Sequence, residues 1–394
     1  MSARLFLAGL SLVTFGSLEA QTTPTSGAFV STLGNDTIQI ERYTRTGDRL
    51  EGDILRKAPR VQVVHYVADL ATNRVKGISV STRRYGVDAT TPPVFSMVAL
   101  LSDTSANVEV QRAGRPDTAN SGIRLFRGRA VPLIPGVPSS LAMYEQSLMF
   151  GGLAPRDSLV VNLVGVGIGK DPTVKMIRRS RDTVVFVSSF FSGWTEIATV
   201  DSVGRIQSLD AAATTVKAVT RRAANLDFDA VAKAWAAYET AHGPAGQMSR
   251  SDTVRARVGA ANLEIAYSRP QRRGRTIFGN VVPWNQVWRT GANAATQLTT
   301  SADLVIGNAT VPAGKYTLWS LPTPTGAKLI INSQTGQWGT EYDPAKDLAR
   351  VDLTQTTLPA PVDEFTFVIA PQGANGILKF SWDDREYSVP VRVK

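Results

Sequence analysis

Four arginines, Arg269, Arg272, Arg273 and Arg275, crowd seven positions around Gly274, and a fifth, Arg289, follows Trp284 and Trp288 and precedes Asn293. Guanidinium groups grip phosphate or carboxylate through paired donors, and indoles offer flat apolar surface with one polar edge. Pro283 to Arg289 reads as one or two helical turns with proline first, which sets Trp284 and Trp288 at i and i+4 on one face. Gly291 then breaks the turn and lets Asn293 fold back. The candidate ligand-binding set is therefore Arg275, Trp284, Trp288, Arg289 and Asn293, a platform for an anion or a stacked sugar. The competing reading, and the expected one, is a tryptophan plug at the end of a sandwich core, with the other arginines in a solvated loop bonding backbone carbonyls.

Most nucleophilic and metal chemistry needs histidine or cysteine. The chain has no cysteine and two histidines, His65 inside an apolar strand and His242 at a helix end. Neither a His-Glu-x-x-His helix nor a Gly-x-Ser-x-Gly elbow is present, and His65 reads as an ordinary strand residue. Gly165 to Lys170 resembles a phosphate loop but has Val164 where the first glycine belongs, Asp171 in place of Ser or Thr, and then Pro172, so it reads as a glycine-kinked strand. Asp383-Asp384, Asp363-Glu364 and Glu341 with Asp343 are the carboxylates that glycoside hydrolysis would draw on. Neighbouring carboxylates point apart on a strand, and Asp383-Asp384 reads as a hairpin turn. No catalytic residue, metal ligand or cofactor is assigned.

These residues sit in a chain of 394 whose opening, Met1 to Arg4, an apolar Leu5 to Leu18 and then Glu19-Ala20, has the order of a secretory signal peptide over 1–20. Export to the periplasm or the extracellular space is the expectation, and no later stretch is apolar for long enough to span a membrane. The net charge of +10 is dispersed, which suits acidic surfaces such as anionic glycan or lipid and lacks the aromatic and basic interleaving of a nucleic-acid site.

Alternating polar and apolar residues, as in Thr37 to Tyr43 and Arg60 to Val67, predict an antiparallel meander or half-barrel over 21–226, with one helix from Ser140 to Met149 after a stiff Pro132 to Pro138 connection. Asp227 to His242 predicts an amphipathic connecting helix, 243–251 a linker, and 252–394 a second β domain of short strands. The fold class is mainly β, two antiparallel β domains joined by that helix.

Three words of the second half, Gly-Arg-Thr-Ile-Phe-Gly at 274–279, Val-Pro-Trp-Asn-Gln-Val-Trp-Arg-Thr-Gly-Ala-Asn at 282–293 and Pro-Ala-Gly-Lys-Tyr at 312–316, resemble the signature of domain-of-unknown-function family 2911. The resemblance runs from about Met248 to Lys394. It implies an all-β sandwich and an exported context, and family members often carry tyrosine where Trp284 stands. The leading functional expectation is a non-catalytic binding protein at the cell envelope for a small apolar ligand or an anionic one, with the half-barrel and its helix as an apolar holder. The alternatives are a hydrolase using carboxylates and arginines on a glycan or phosphorylated polymer, and a structural or interaction module.

Overall fold

A computed structural model describes residues 23–88, 90–134, 139–152, 157–166, 172–189 and 194–394. The leader, most of the proline-rich connection and the segment 167–171 of the glycine-rich stretch lie outside these. The chain is mostly β, arranged as two separate sheets. In the first, of sixteen strands among the described residues, the opening strand Thr25–Leu33 lies between Asp36–Thr46 and the closing strand Val219–Ala223, so the two ends of the domain zip together mid-sheet. Hairpins fan out to either side, with Gly47 (φ 58) and Gly204 (φ 87) supplying left-handed turn residues. Among the described strands of this sheet only Ala130–Pro132 and Ser158–Val164 pair in parallel.

Helix α1, Leu141–Gly151, connects that parallel pair. Ser140 caps its start by accepting from the Met143 amide at 3.2 Å, and Gly152 (φ 54) ends it. The sheet curls around it: Leu141, Ala142 and Met143 share one core with Leu50, Tyr66 and Met97 from one half of the meander and Met176, Phe186 and Leu209 from the other. The helix itself fills the concave face. Across four strands Gly27, Tyr43, Gly52 and Tyr66 stand directly opposite one another. A Cβ at Gly27 would lie 2.6 Å from the Tyr43 ring and one at Gly52 2.3 Å from the Tyr66 hydroxyl, so the missing side chains give the tyrosines their room. Their hydroxyls donate to Glu145 and Glu41 respectively. Glu41 also accepts from the Leu141 amide at 2.8 Å, placing a carboxylate at the helix's positive end. Burial raises the pKa of both carboxyls, against the pull of these hydrogen bonds.

The second helix, α2 (Phe228–His242), is capped by Asp227, which accepts from the Ala230 amide at 2.9 Å. It lays Phe228 and Ala232 on Ile40, Leu55 and Val61, the opposite face of the sheet from α1. The next strand begins at Ser249, so Ser249 to Ser251 belong to a strand and not to the connection, which is 243–248.

The second sheet has nine strands, in the order Ser249–Val258, Ala261–Pro270, Thr296–Thr300, Gly314–Thr323, Gly326–Asn332, Asp347–Gln372, Asn375–Val393, Leu304–Ile306 and Ala309–Val311. Its two longest strands break register between Thr357 and Thr366, opposite Asp383 (φ 53). There the sheet doubles over, bringing Phe365, Phe367 and Phe380 against Leu263, Ile265 and Tyr267 in one core. Asp383 is thus at a crease inside one strand and not in a hairpin turn. Its carboxylate accepts from the Ile277 amide at 3.2 Å and pairs with Arg272 at 2.8 Å. The hairpin between the long strands turns at Gly373 (φ 62).

Candidate functional site between the two domains

The domains meet turn against turn. The Gly34-Asn35 hairpin of the first seats on Arg273-Gly274 of the second, with the Asn35 amide donating to the Arg273 carbonyl at 3.0 Å. A Cβ at Gly34 would lie 2.2 Å from that carbonyl oxygen, and one at Gly274 would lie 2.3 Å from Asn35 Nδ2. Both glycines hold positive φ, 63° and 71°, so conformation and contact select glycine twice. Arg273 pairs with Asp36, which Lys57 also reaches at 2.7 Å.

Beside this contact lies a cleft of about 1140 Å³, with walls from both domains. Among the described residues five cations line it, Arg56, Lys217, Arg273, Arg275 and Arg289, and no carboxylate does. Of the five only Arg273 has an ion-pair partner among the described residues. The aromatic lining includes Trp288, Trp319, Trp338 and Tyr342.

Of the arginine-rich loop, Arg269 bridges Asp252 and Glu364, Arg272 holds Asp383 and Arg273 holds Asp36, so three of the four staple the fold. Arg275 curls back, donating from Nε to the Arg272 carbonyl at 2.9 Å and from Nη2 to the Gln271 carbonyl at 2.5 Å. Burial and the neighbouring Arg273 lower its pKa.

The segment Pro283 to Arg289 is not a helix. Trp288 exchanges both backbone hydrogen bonds with Ser320 at 2.8 Å, and the Asn285 amide donates to the Pro322 carbonyl at 2.8 Å. These bonds extend the pairing of the Thr296–Thr300 and Gly314–Thr323 strands, and this tertiary pairing overrides the local helical preference. Trp284 and Trp288 therefore part. Trp284 stacks on Phe278 (6.0 Å) beneath Arg385 and does not line the cleft. Trp288 stacks on Trp382 (5.9 Å, 17°), meets Phe365 edge-on and also faces the cleft, so it is plug and wall at once.

Arg289 is half-buried, and its Nε is enclosed with no hydrogen-bond partner. Its one bond is a long 3.5 Å contact from Nη1 to the Gly339 carbonyl. Burial lowers its pKa to about 10. Asn293, in the left-handed region (φ 60), accepts the Gly339 amide on its carbonyl at 3.0 Å and reaches the Ser249 carbonyl with its side chain. Four of the five residues proposed from sequence, Arg275, Trp288, Arg289 and Asn293, thus share one cleft.

Sequence reasoning missed the opposite wall. Lys217 sits in the turn between Ile206–Asp210 and Val219–Ala223, with φ 55 and its ammonium donating to the Ala212 carbonyl at 3.0 Å. Burial, then Arg289 and Arg275, lower its pKa, which places the three cations within each other's fields. Arg56 donates from Nε to Gln39 at 3.0 Å and has an enclosed, unpartnered Nη2, and burial takes its pKa to about 10. A lysine in left-handed backbone is a weak sequence signal, and Arg56 gives none. His65 stays outside the cleft, on an open face of the first sheet between Asp53 (2.9 Å) and Glu51 (3.8 Å), and the Asp53 hydrogen bond raises its pKa. Among the described residues no cluster of histidine and carboxylate suits a metal ion, and no helix is long and apolar enough to cross a membrane.

The segment that supplies Arg275, Trp288, Arg289 and Asn293 also matches a family model. Residues 249–391 match the family model DUF2911, a protein of unknown function. The DUF2911 segment coincides with the second sheet, and the first half of the chain has no family assignment. The family match therefore covers the residues of one wall of the cleft. No curated protein matches the sequence. Among solved structures, a DUF1089 family protein from Pseudomonas aeruginosa aligns at 14% identity over 44% of this chain and 90% of its own, with a TM-score of 0.32. Intact Ap-TbpB, with its N and C lobes, aligns at 8% identity over 94% of this chain and 76% of its own, with a TM-score of 0.13. Overlays this loose fix neither fold nor function.

Proposed function

We propose that this is an exported, non-catalytic binding protein that takes an anionic organic molecule into the cleft between its two domains. The observation that carries the reading is the cleft's charge: four cations without a carboxylate partner, set among tryptophans. Leaving a charge half-buried and unpaired costs stability, and such groups are retained where something else compensates them. A bound anion does so. The volume fits a drug-sized molecule and far exceeds what a simple ion fills. The aromatic walls suit a ring or an apolar body attached to the anionic group. The half-barrel is the weaker holder, because α1 already packs its concave face. A hydrolase acting in the cleft finds less support, since no carboxylate lines it to share acid and base roles.

Tryptophan fluorescence of the mature protein, titrated with ring compounds that differ only in charge, tests the reading. Benzoate and phenyl phosphate should each give a saturable change while benzyl alcohol gives none. No response to any anion, or an equal response to the neutral alcohol, would overturn it.

A further inference from the structure

The cleft's cations come from both domains and point to more than one negative charge on the ligand. Lys217 belongs to a turn of the first domain, Arg275 and Arg289 to the second, and all three line the same cavity. Their donors are incompletely used. Arg289 has an enclosed Nε without an acceptor and one long contact from Nη1, Lys217 spends one of three donors on the Ala212 carbonyl, and Arg275 spends Nε and Nη2 on carbonyls, leaving Nη1. A carboxylate brings one charge and two oxygens, which would leave most of this charge uncompensated. A phosphomonoester brings close to two charges and three strong acceptor oxygens at neutral pH. Arginine forks match the edges of that group and lysine serves as a mobile point charge for it.

The neighbouring surface constrains what carries the phosphoryl group. Trp288 is held flat by Trp382 behind it, and Trp319, tilted against Tyr342 (5.0 Å, 52°), anchors its indole Nε1 to Thr317 at 3.0 Å. Both indoles are fixed by their own contacts before any ligand arrives, so little ordering accompanies binding. Both border the same cavity as the cations.

We propose that the ligand is a phosphomonoester on a cyclic or partly apolar body, and that Lys217 of the first domain closes on the phosphoryl group together with Arg275 and Arg289 of the second. This rests on the reading of the cleft as an anion site and narrows the anion. Two sources share this chemistry, a soluble phosphate ester and the headgroup of a monoacyl phospholipid.

Isothermal titration of the mature protein with phenyl phosphate, methyl phenyl phosphate, benzoate and lysophosphatidate separates the possibilities. Phenyl phosphate should bind about tenfold or more tightly than benzoate or the singly charged diester, the scale of one added charge-assisted hydrogen bond. Lys217→Met and Arg289→Met should each remove most of that preference. Lys217 lies on a turn, so its variant keeps the test open should Arg289→Met fail to fold. Equal affinity for benzoate and phenyl phosphate would overturn the phosphoryl assignment and leave the anion cleft standing, whereas no binding by any of the four would end both. Lysophosphatidate binding about tenfold more tightly than phenyl phosphate supports the assignment with a lipid source, and equal or weaker binding supports it with a soluble ester.

Discussion

Arg289 reaches the cleft because position 339 is glycine: a Cβ there would lie 2.0 Å from Arg289 Cδ and 2.5 Å from the Asn293 carbonyl oxygen. The backbone at Gly339 needs no left-handed conformation, so the arginine stem and the Asn293 carbonyl together demand the missing side chain. Gly339→Ala should therefore displace the guanidinium, abolish anion binding and cost about 1 to 3 kcal/mol by overpacking. Gly326→Ala, where a Cβ meets nothing within 4 Å, is the control and should change stability by no more than about 0.5 kcal/mol. Calorimetry and titration of both variants check this.

The tryptophans should separate in the same assays. Trp288→Ala removes a ring packed on Trp382 and Phe365 and one wall of the cleft, so it should lose both stability, by about 3 kcal/mol or more, and ligand binding. Trp284→Ala should cost stability alone, because Trp284 packs between Phe278 and Arg385 away from the cleft.

Much of the site was legible locally and part of it was not. Arg275, Trp288, Arg289 and Asn293 fall within nineteen positions of one another in the sequence, so their shared chemistry could be read directly. The helices were legible as Ser140 to Met149 and Asp227 to His242, and the structure places them at Leu141–Gly151 and Phe228–His242. The separation of Trp284 from Trp288 was not, because it follows from pairing with Ser320, a partner more than thirty positions away. Lys217 and Arg56 were hidden for the same reason, since their place depends on how one whole domain seats on another. The crease at Asp383 was hidden as well, since a left-handed aspartate inside a strand looks in sequence like a turn.

The seating itself is testable through Gly274. Gly274→Ala forces a Cβ into Asn35 at a left-handed position and should loosen the domains without unfolding either. Limited proteolysis should then cut the exposed 243–248 connection faster than in the unaltered protein, leaving two folded fragments. Equal rates would show that the turn contact does not hold the domains.

Glu196, buried on the strand Thr195–Val200, has its pKa raised to about 7 by burial, against a hydrogen bond from Trp194. A carboxyl that holds its proton more tightly folded than unfolded contributes stability that is fully present below its ordinary value of 4.5 and is lost as pH rises through about 7. Across that window the unaltered protein should lose on the order of 3 kcal/mol from this group, and Glu196→Gln should remove that component. Unfolding midpoints at a series of pH values in both proteins check it, and parallel profiles would contradict it.

The most direct test of the anion cleft is the unfolding temperature of Arg289→Met beside the unaltered protein, each with and without phenyl phosphate. An unpaired, half-buried cation kept for a ligand predicts a ligand-free variant as stable as the unaltered protein or more so, and a ligand-induced rise that only the unaltered protein shows. A variant less stable by about 1 to 3 kcal/mol, the cost of losing a buried hydrogen-bonding group, with its ligand response intact would make Arg289 a structural staple and contradict the account.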